Sequence, residues 1–206
     1  MTTLPLLHIP DGNFSGYIFD CDGTLVDSMP LHLYAWRAAL ERHGFPPEKF
    51  TVQMHHDFAG MPGAAIVRDL NTNFGSNLPP DQVETDKVEW YLAHHTEIGG
   101  IEPVVAIARA AAGRLPMAVA SGSDAQIVHD SLRILGIHEL FAAIITPADV
   151  ARGKPAPDMF LLAAERMGVA PQDCLVFEDG KLGVQAAEAA GMKTVWVPAE
   201  FSVGYS

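Results

Sequence analysis

The sequence predicts an α/β fold, a parallel sheet with helices between its strands, interrupted early by a purely helical insert. Short apolar runs recur along the 206-residue chain, and each ends in small or acidic residues. From residue 101 onward these runs alternate with helical patterns, the order expected of a parallel sheet. Between residues 29 and 98, by contrast, no run reads as a strand.

The first strand is "GYIFD" (16–20), apolar without interruption, as suits a strand buried on both faces. "PLHLYAWRAALERHG" then reads as a helix, with Pro30 near its start, Leu33, Trp36 and Leu40 on one face and Gly44 at its end. "PPDQVETDKVEWYLAHH" reads as another, with prolines and Asp81 at its N-terminus. Past the insert come the strand "LPMAVAS" (115–121) and the helix "DAQIVHDSLRILG" (124–136), which places Ile127, Leu132 and Leu135 on a helical period before Gly136. "AAIIT" (142–146) is a strand, and "APDMFLLAAERMG" (156–168) a helix with Pro157 in its first turn and Gly168 as a stop. "CLVFED" (174–179) and "KTVWV" (193–197) are strands flanking the Ala-rich helix "LGVQAAEAAGM" (182–192), which Gly191 closes. "VDSMP" (26–30) and "GGIEP" (99–103) are the outgoing and returning hinges. The chain therefore divides into core residues 1–28, a helical cap 29–98 and the rest of the core, 99–206, with the cap over the C-terminal edge of the sheet.

Composition bounds the partners. With 49% hydrophobic and 18% charged residues the chain can bury one sizeable core and a small second lobe. A net charge of −12 repels nucleic acid and anionic membranes, so an anionic substrate must find positive charge supplied locally. Cys21 and Cys174 form no CxxC pair, which argues against a disulfide scaffold or a zinc site and for a reducing compartment. "MTTLPLLHIPDG" lacks the basic and apolar regions of a signal peptide. No apolar run reaches the roughly 18 residues of a membrane span. A soluble, cytoplasmic protein is expected.

The chemistry gathers at strand ends. In an extended strand alternate side chains share a face, so Asp20 and Asp22 of "DCDGT" point together and Cys21 away, into the core. A divalent cation such as magnesium would remove the conflict between two adjacent carboxylates. One acid can then act as nucleophile and the other as proton donor and acceptor. Gly23 and Thr24 allow a sharp turn and offer N–H groups to an anion. A turn carrying two solvated acids accounts for the same string. Glu178–Asp179 is a second acid pair at a strand end, which by itself reads equally as a helix cap. Strand ends of a parallel sheet gather on one edge, which favours one shared metal site. Ser121 ends another strand, though outside any GxSxG elbow, and reads also as a turn residue. Lys154 lies in "GKPAPD", stiffened by two prolines, where it either meets a phosphate or is solvated. His55–His56 and His94–His95 lack the i, i+4 spacing of helical zinc sites and read as solvated histidines. Trp36, Trp90 and Tyr91 read as cap core.

Taken together, "DCDGTLVDS", "ASGS", "GKPAPD" and "FEDGKLGVQAAEAAGM" resemble the four motifs of the haloacid-dehalogenase superfamily in order and spacing. The helical insert resembles the small cap of its β-phosphoglucomutase-like branch. "RLPMAVASGSD" and "PAPDMFLLAAERMGVAPQDCLVFED" look most like sugar-phosphate phosphatases of the fructose-1-phosphatase type. The resemblance implies a Rossmann-like sheet sandwiched by helices and a magnesium-dependent phosphatase acting on a small phosphorylated metabolite; a monomer is expected, although the sequence does not fix the oligomeric state. It implies Asp20 as the nucleophile that forms an aspartyl-phosphate and Asp22 as the acid and base, with the Asp22 carbonyl also on magnesium. Ser121 and Lys154 would hold phosphoryl oxygens, and Glu178 and Asp179 would complete the metal ligands. In the cap, His32 and Lys87 align with positions that face the site in mutases. Mutases of that branch also carry an arginine where this chain has Gly63, and its absence tilts the reading toward hydrolysis. Gly180 stands where serine or alanine is usual after the acid pair. The alternatives are a phosphomutase of that branch and a catalytically silent binding protein on the same fold.

Overall fold

The computed structural model describes residues 7–96 and 98–202, so part of the stretch read as unlike a signal peptide, residues 1–6, lies outside it. β1 (Gly16–Phe19) is followed by the two-residue β2 (Val26–Asp27). Four helices come next: α1 (Met29–Arg42), α2 (Val52–Asp57), α3 (Gly63–Phe74) and α4 (Pro80–His94). After β3 (Gly99–Gly100) the chain alternates through α5 (Glu102–Ala111), β4 (Met117–Ala120), α6 (Ala125–Ile134) and β5 (Ala143–Ile145). It finishes with α7 (Asp158–Met167), β6 (Cys174–Glu178), α8 (Lys181–Ala189) and β7 (Lys193–Trp196). The five predicted strands all form, each slightly shorter than its apolar run.

These strands make one parallel sheet in the order β5-β4-β1-β6-β7. The fold is Rossmann-like α/β. From the central β1 the chain builds outward through β4 and β5, then crosses to β6 and β7 on the other side. That reversal opens a crevice at the C-terminal ends of the central strands, the usual ligand position in such sheets. The apolar runs are continuous because both faces are covered. Phe19, Val119, Leu175 and Phe177 point into one core layer with Val104 and Ala108 of α5 and Leu132 of α6. Ile18, Ala118 and Val176 point into the other, with Phe160 of α7 and Ala186 of α8.

The insert has its own core. Leu33, Trp36 and Leu40 of α1 bury against Ile66, Val67 and Leu70 of α3, Val83 of α4 and Phe50. The predicted hinges pair with each other as a short antiparallel ribbon, Val26 opposite Gly100 and Asp27 opposite Gly99. Outgoing and returning chains thus leave the core side by side. Helices α2 and α3 carry weak sequence signals, because α2 has only six residues and α3 begins on Gly63. Pro157 stands at the N-cap of α7 rather than within its first turn. No helix among the described residues is long and apolar enough to cross a membrane.

Candidate active site

Past Phe19 the chain leaves β1 and turns sharply. The carbonyl of Cys21 accepts from the N–H groups of Leu25 and Val26, both at 2.9 Å, and the Gly23 N–H donates to the Val26 carbonyl at 2.8 Å. Gly23 has φ +80°, and a Cβ there would lie 2.2 Å from Asp179 Oδ2, so a side chain is excluded on both counts. The expectation that Gly23 and Thr24 present N–H groups to an anion is not met. The turn itself uses both, the Thr24 N–H donating to the Cys21 carbonyl at 3.3 Å. Thr24 instead donates its hydroxyl to Asp179 Oδ1 at 3.1 Å. Cys21 is fully buried in the core, and burial pushes its thiol well above the ordinary range, which makes it inert packing.

Asp20 and Asp22 do line one pocket, but with opposite partners. The turn, not strand pleat, decides this. Asp20 belongs to a buried core cluster: Lys154 Nζ donates to Asp20 Oδ1 at 2.6 Å and to Glu178 Oε2 at 2.7 Å. A solvated Lys154 is thereby ruled out, since its side chain is 0% exposed. Burial works against the Lys154 charge, but Asp20 and Glu178 hold its pKa above the ordinary lysine range. Glu178 Oε1 also accepts from the Gly180 N–H at 2.9 Å, so glycine in place of serine or alanine leaves this acid anchored. A Cβ at Gly183 would lie 2.1 Å from the Glu178 carboxyl carbon, so α8 must carry glycine there for the acid to fit.

Oxygens of Asp20, Glu178 and Asp179 all lie within 4.8 Å of one another. Burial first, and then the Glu178 charge, push Asp20 up to about 8. Burial, Asp20 and Glu178 push Asp179 well above the carboxylate range. One lysine does not balance three converging carboxylates. A hard divalent cation does, and the donors, all oxygen, suit magnesium.

Asp22 faces the insert. Oδ1 accepts from Ser28 Oγ at 2.6 Å and lies 2.8 Å from His32 Nε2, while Oδ2 accepts from Ser123 Oγ at 2.6 Å. Burial would raise the Asp22 pKa, but the contact with His32 and the two hydroxyl donors hold it below the usual carboxylate range. His32 stacks on the buried Tyr91 at 4.3 Å between centroids, and burial with the Lys87 charge lowers its pKa. Ser121 Oγ accepts from the Ser123 N–H at 3.1 Å and lies 3.5 Å from Asp22 Oδ2.

Lys87 is buried on the far wall, with Nζ 5.8 Å from the Trp36 ring centroid and 5.5 Å from that of Tyr91. Burial lowers it to about 8, against the opposing pull of Asp22, Glu84 and Asp124. Both cap residues named from the sequence, His32 and Lys87, therefore reach the pocket. Ser28 and Ser123, the hydroxyl donors to Asp22, lie inside "DCDGTLVDS" and "ASGS", but nothing local in those strings marks them as partners of Asp22. His55 corrects the reading of its pair as solvated: it is buried in the pocket wall, and burial holds it well below the ordinary histidine range. His94 is exposed, as expected. Trp36 belongs to the insert core and also lines the pocket, whereas Tyr91 lies on the seam between insert and core, against Ile127 of α6.

The loop at residues 59–61 presses onto the core loops and roofs the pocket. A Cβ at Gly122 would lie 2.6 Å from the Gly60 carbonyl oxygen, backbone that has no rotamer by which to escape. Gly122→Ala is therefore expected to keep the insert from seating. kcat should fall by about 10²-fold with little loss of melting temperature, the scale of a 1 Å misplacement in a closed site. Steady-state kinetics beside a thermal melt checks this, and wild-type kcat would refute it.

Two acid pairs at adjoining ends of a parallel sheet, with a buried lysine between them and a loop of the insert above, define an enzyme of the phosphoryl-transferring α/β class. Residues 14–191 match the sequence model of the haloacid dehalogenase-like hydrolase family, and the chain belongs to that family. It is 37% identical over 182 residues to the fructose-1-phosphate phosphatase YqaB of Escherichia coli (strain K12), covering 88% of this chain and 95% of that protein. It is 32% identical to the hexitol phosphatase A of the same organism, covering 89% and 83%. Among solved structures, CbbY from Rhodobacter sphaeroides in complex with phosphate shares the fold, with a TM-score of 0.78 and 23% identity over 93% of this chain and 89% of that one. By family this protein is a hydrolase, and the two Escherichia coli relatives are named as phosphatases.

Proposed function

We propose that this protein is a magnesium-dependent phosphatase that hydrolyses small phosphate monoesters, sugar phosphates above all, through an aspartyl-phosphate on Asp20. The observation that carries the reading is Lys154 bridging Asp20 and Glu178 inside a buried group of carboxylates, at the sheet edge where ligands bind. A lysine fixed there supplies the positive charge that a chain of net charge −12 otherwise denies a phosphate. The relatives' names, fructose-1-phosphate phosphatase and hexitol phosphatase, support a sugar phosphate.

Asp20, Glu178 and Asp179 would hold the magnesium ion, joined by the Asp22 carbonyl as the family resemblance implies. Bound there, magnesium would offset the charge of the carboxylates and the phosphoryl oxygens. A carboxylate oxygen of Asp20 attacks phosphorus while Lys154 and Ser121 hold the phosphoryl oxygens. Asp22 gives a proton to the leaving sugar oxygen as its bond to phosphorus breaks. The Asp22 carboxyl rests below the usual range, and the arrival of an anionic phosphate favours its protonated form. Asp22 then takes a proton from water as that water attacks the phosphoryl-Asp20, releasing phosphate and restoring both acids. The roof formed by residues 59–61 excludes bulk water meanwhile.

Release of inorganic phosphate from a panel of hexose and pentose phosphates tests the reading. Stripping the protein with EDTA is expected to lower the rate by about 10²-fold or more, and magnesium to restore it. Undiminished turnover in EDTA would reject the metal assignment. No observation favours the mutase alternative, and Gly63 offers no second phosphate grip.

A further inference from the structure

We infer that Glu84 sets specificity at the insert end of the pocket, accepting a substrate hydroxyl there and turning away a second phosphate. The inference rests on the phosphatase reading above and adds which substrates that phosphatase prefers. The insert wall of the pocket carries His32, His55, Trp36, Glu84 and Lys87. On α4, Glu84 and Lys87 are three residues apart and therefore share a face. Glu84 Oε2 accepts from the Ala64 N–H at 3.0 Å. Ala64 is the second residue of α3, at the positive end of its dipole, while the N–H groups of Ala65 and Ile66 behind it donate to the Pro62 carbonyl at 3.0 and 3.2 Å.

An anion arriving at this end of the pocket would seek that helix end and the Ala64 N–H. A carboxylate of the protein's own already stands there. A Cβ at Gly63 would lie 2.5 Å from Glu84 Oε1, so no side chain at position 63 can extend over the pocket while Glu84 keeps its place. On the insert side of the pocket Lys87 is the one Lys or Arg among the described residues, and the carboxylates of Asp22, Glu84 and Asp124 favour its charged form. Those carboxylates oppose a further anion approaching it. A carboxylate only accepts hydrogen bonds, and with Oε2 given to Ala64 its other oxygen suits a sugar or polyol hydroxyl. A second phosphate would instead meet like charge inside a partly desolvated pocket.

The test compares kcat/KM for a hexose 1-phosphate and the matching hexose 1,6-bisphosphate in wild type, Glu84→Gln and Glu84→Ala. The glutamine keeps an oxygen for the Ala64 N–H and removes the charge, so it separates electrostatics from support of α3. The ratio of bisphosphate to monophosphate kcat/KM is expected to rise about 10-fold or more in Glu84→Gln, chiefly through a lower KM for the bisphosphate. Glu84→Ala should move the ratio the same way and also raise KM for the monophosphate. Because each ratio is taken within one protein, general damage to the fold cancels. Ratios within twofold of wild type in both variants would overturn the inference while leaving the phosphatase reading intact. Wild-type turnover of p-nitrophenyl phosphate tests that reading separately, and its absence would overturn both.

Discussion

Asp20→Asn is expected to lower phosphate release by about 10⁴-fold or more, because an amide oxygen cannot replace the carboxylate that forms the bond to phosphorus. Losses of this order follow removal of a nucleophile that works as one unit with its neighbours. The fold should not suffer. Asp20 is crowded by burial and by Glu178, which together push its carboxyl up to about 8. Removing its charge relieves that crowding, and Lys154 keeps Glu178 at 2.7 Å. The variant should therefore melt at or above the metal-free wild type. Quenched-flow trapping of phosphoprotein from labelled substrate completes the test. Label retained on Asp20→Asn, or turnover near the wild-type rate, would sink the nucleophile assignment.

Lys154→Met is expected to cost both activity and stability. The substitution keeps the length of the side chain and removes its charge. It leaves Asp20 and Glu178, held at 2.6 and 2.7 Å in the wild type, with no cation between them. Breaking a buried pair in this way costs about 3–5 kcal/mol. For a chain of this size that is a fall in Tm of about 6–20 °C. Magnesium should recover part of the loss, since a cation bound only to the folded state stabilises it by mass action. A fall in Tm below about 2 °C would show that Lys154 does not balance this cluster.

How much of the site was legible in the sequence depended on where each residue sat. Asp20, Ser121, Glu178 and Asp179 follow apolar runs, and a parallel sheet brings such ends to one edge whatever the details of packing. Lys154 was legible only as a member of a set of motifs, because nothing local separates a buried lysine from a solvated one. The pleat argument brought Asp20 and Asp22 to the same pocket but ignored the turn that begins after Phe19. That turn sends Asp20 to Lys154 and Asp22 to Ser28, His32 and Ser123. The same turn consumes the N–H groups of Gly23 and Thr24 that had been expected to meet an anion. His55 failed for a related reason: helical spacing says which residues share a face, not which face will be covered.

The sequence by itself determined the five-stranded parallel sheet, the helical insert between its hinges, and the acids and lysine at the sheet edge. Strands follow from apolar runs, helices from their period and stops and the acids from strand ends, all local patterns, whereas Lys154 follows only from its place in the set of motifs. Only the tertiary structure decided what the insert contributes. It placed His32 on Asp22, seated Lys87 above Trp36 and Tyr91, and turned Glu84 onto the first turn of α3. Apart from Lys87 on Tyr91, one turn away in α4, those contacts join separate elements across helices whose rotation is set by a packed core. No local pattern encodes that rotation, because it emerges only when Leu33, Trp36, Val67 and Val83 close on one another.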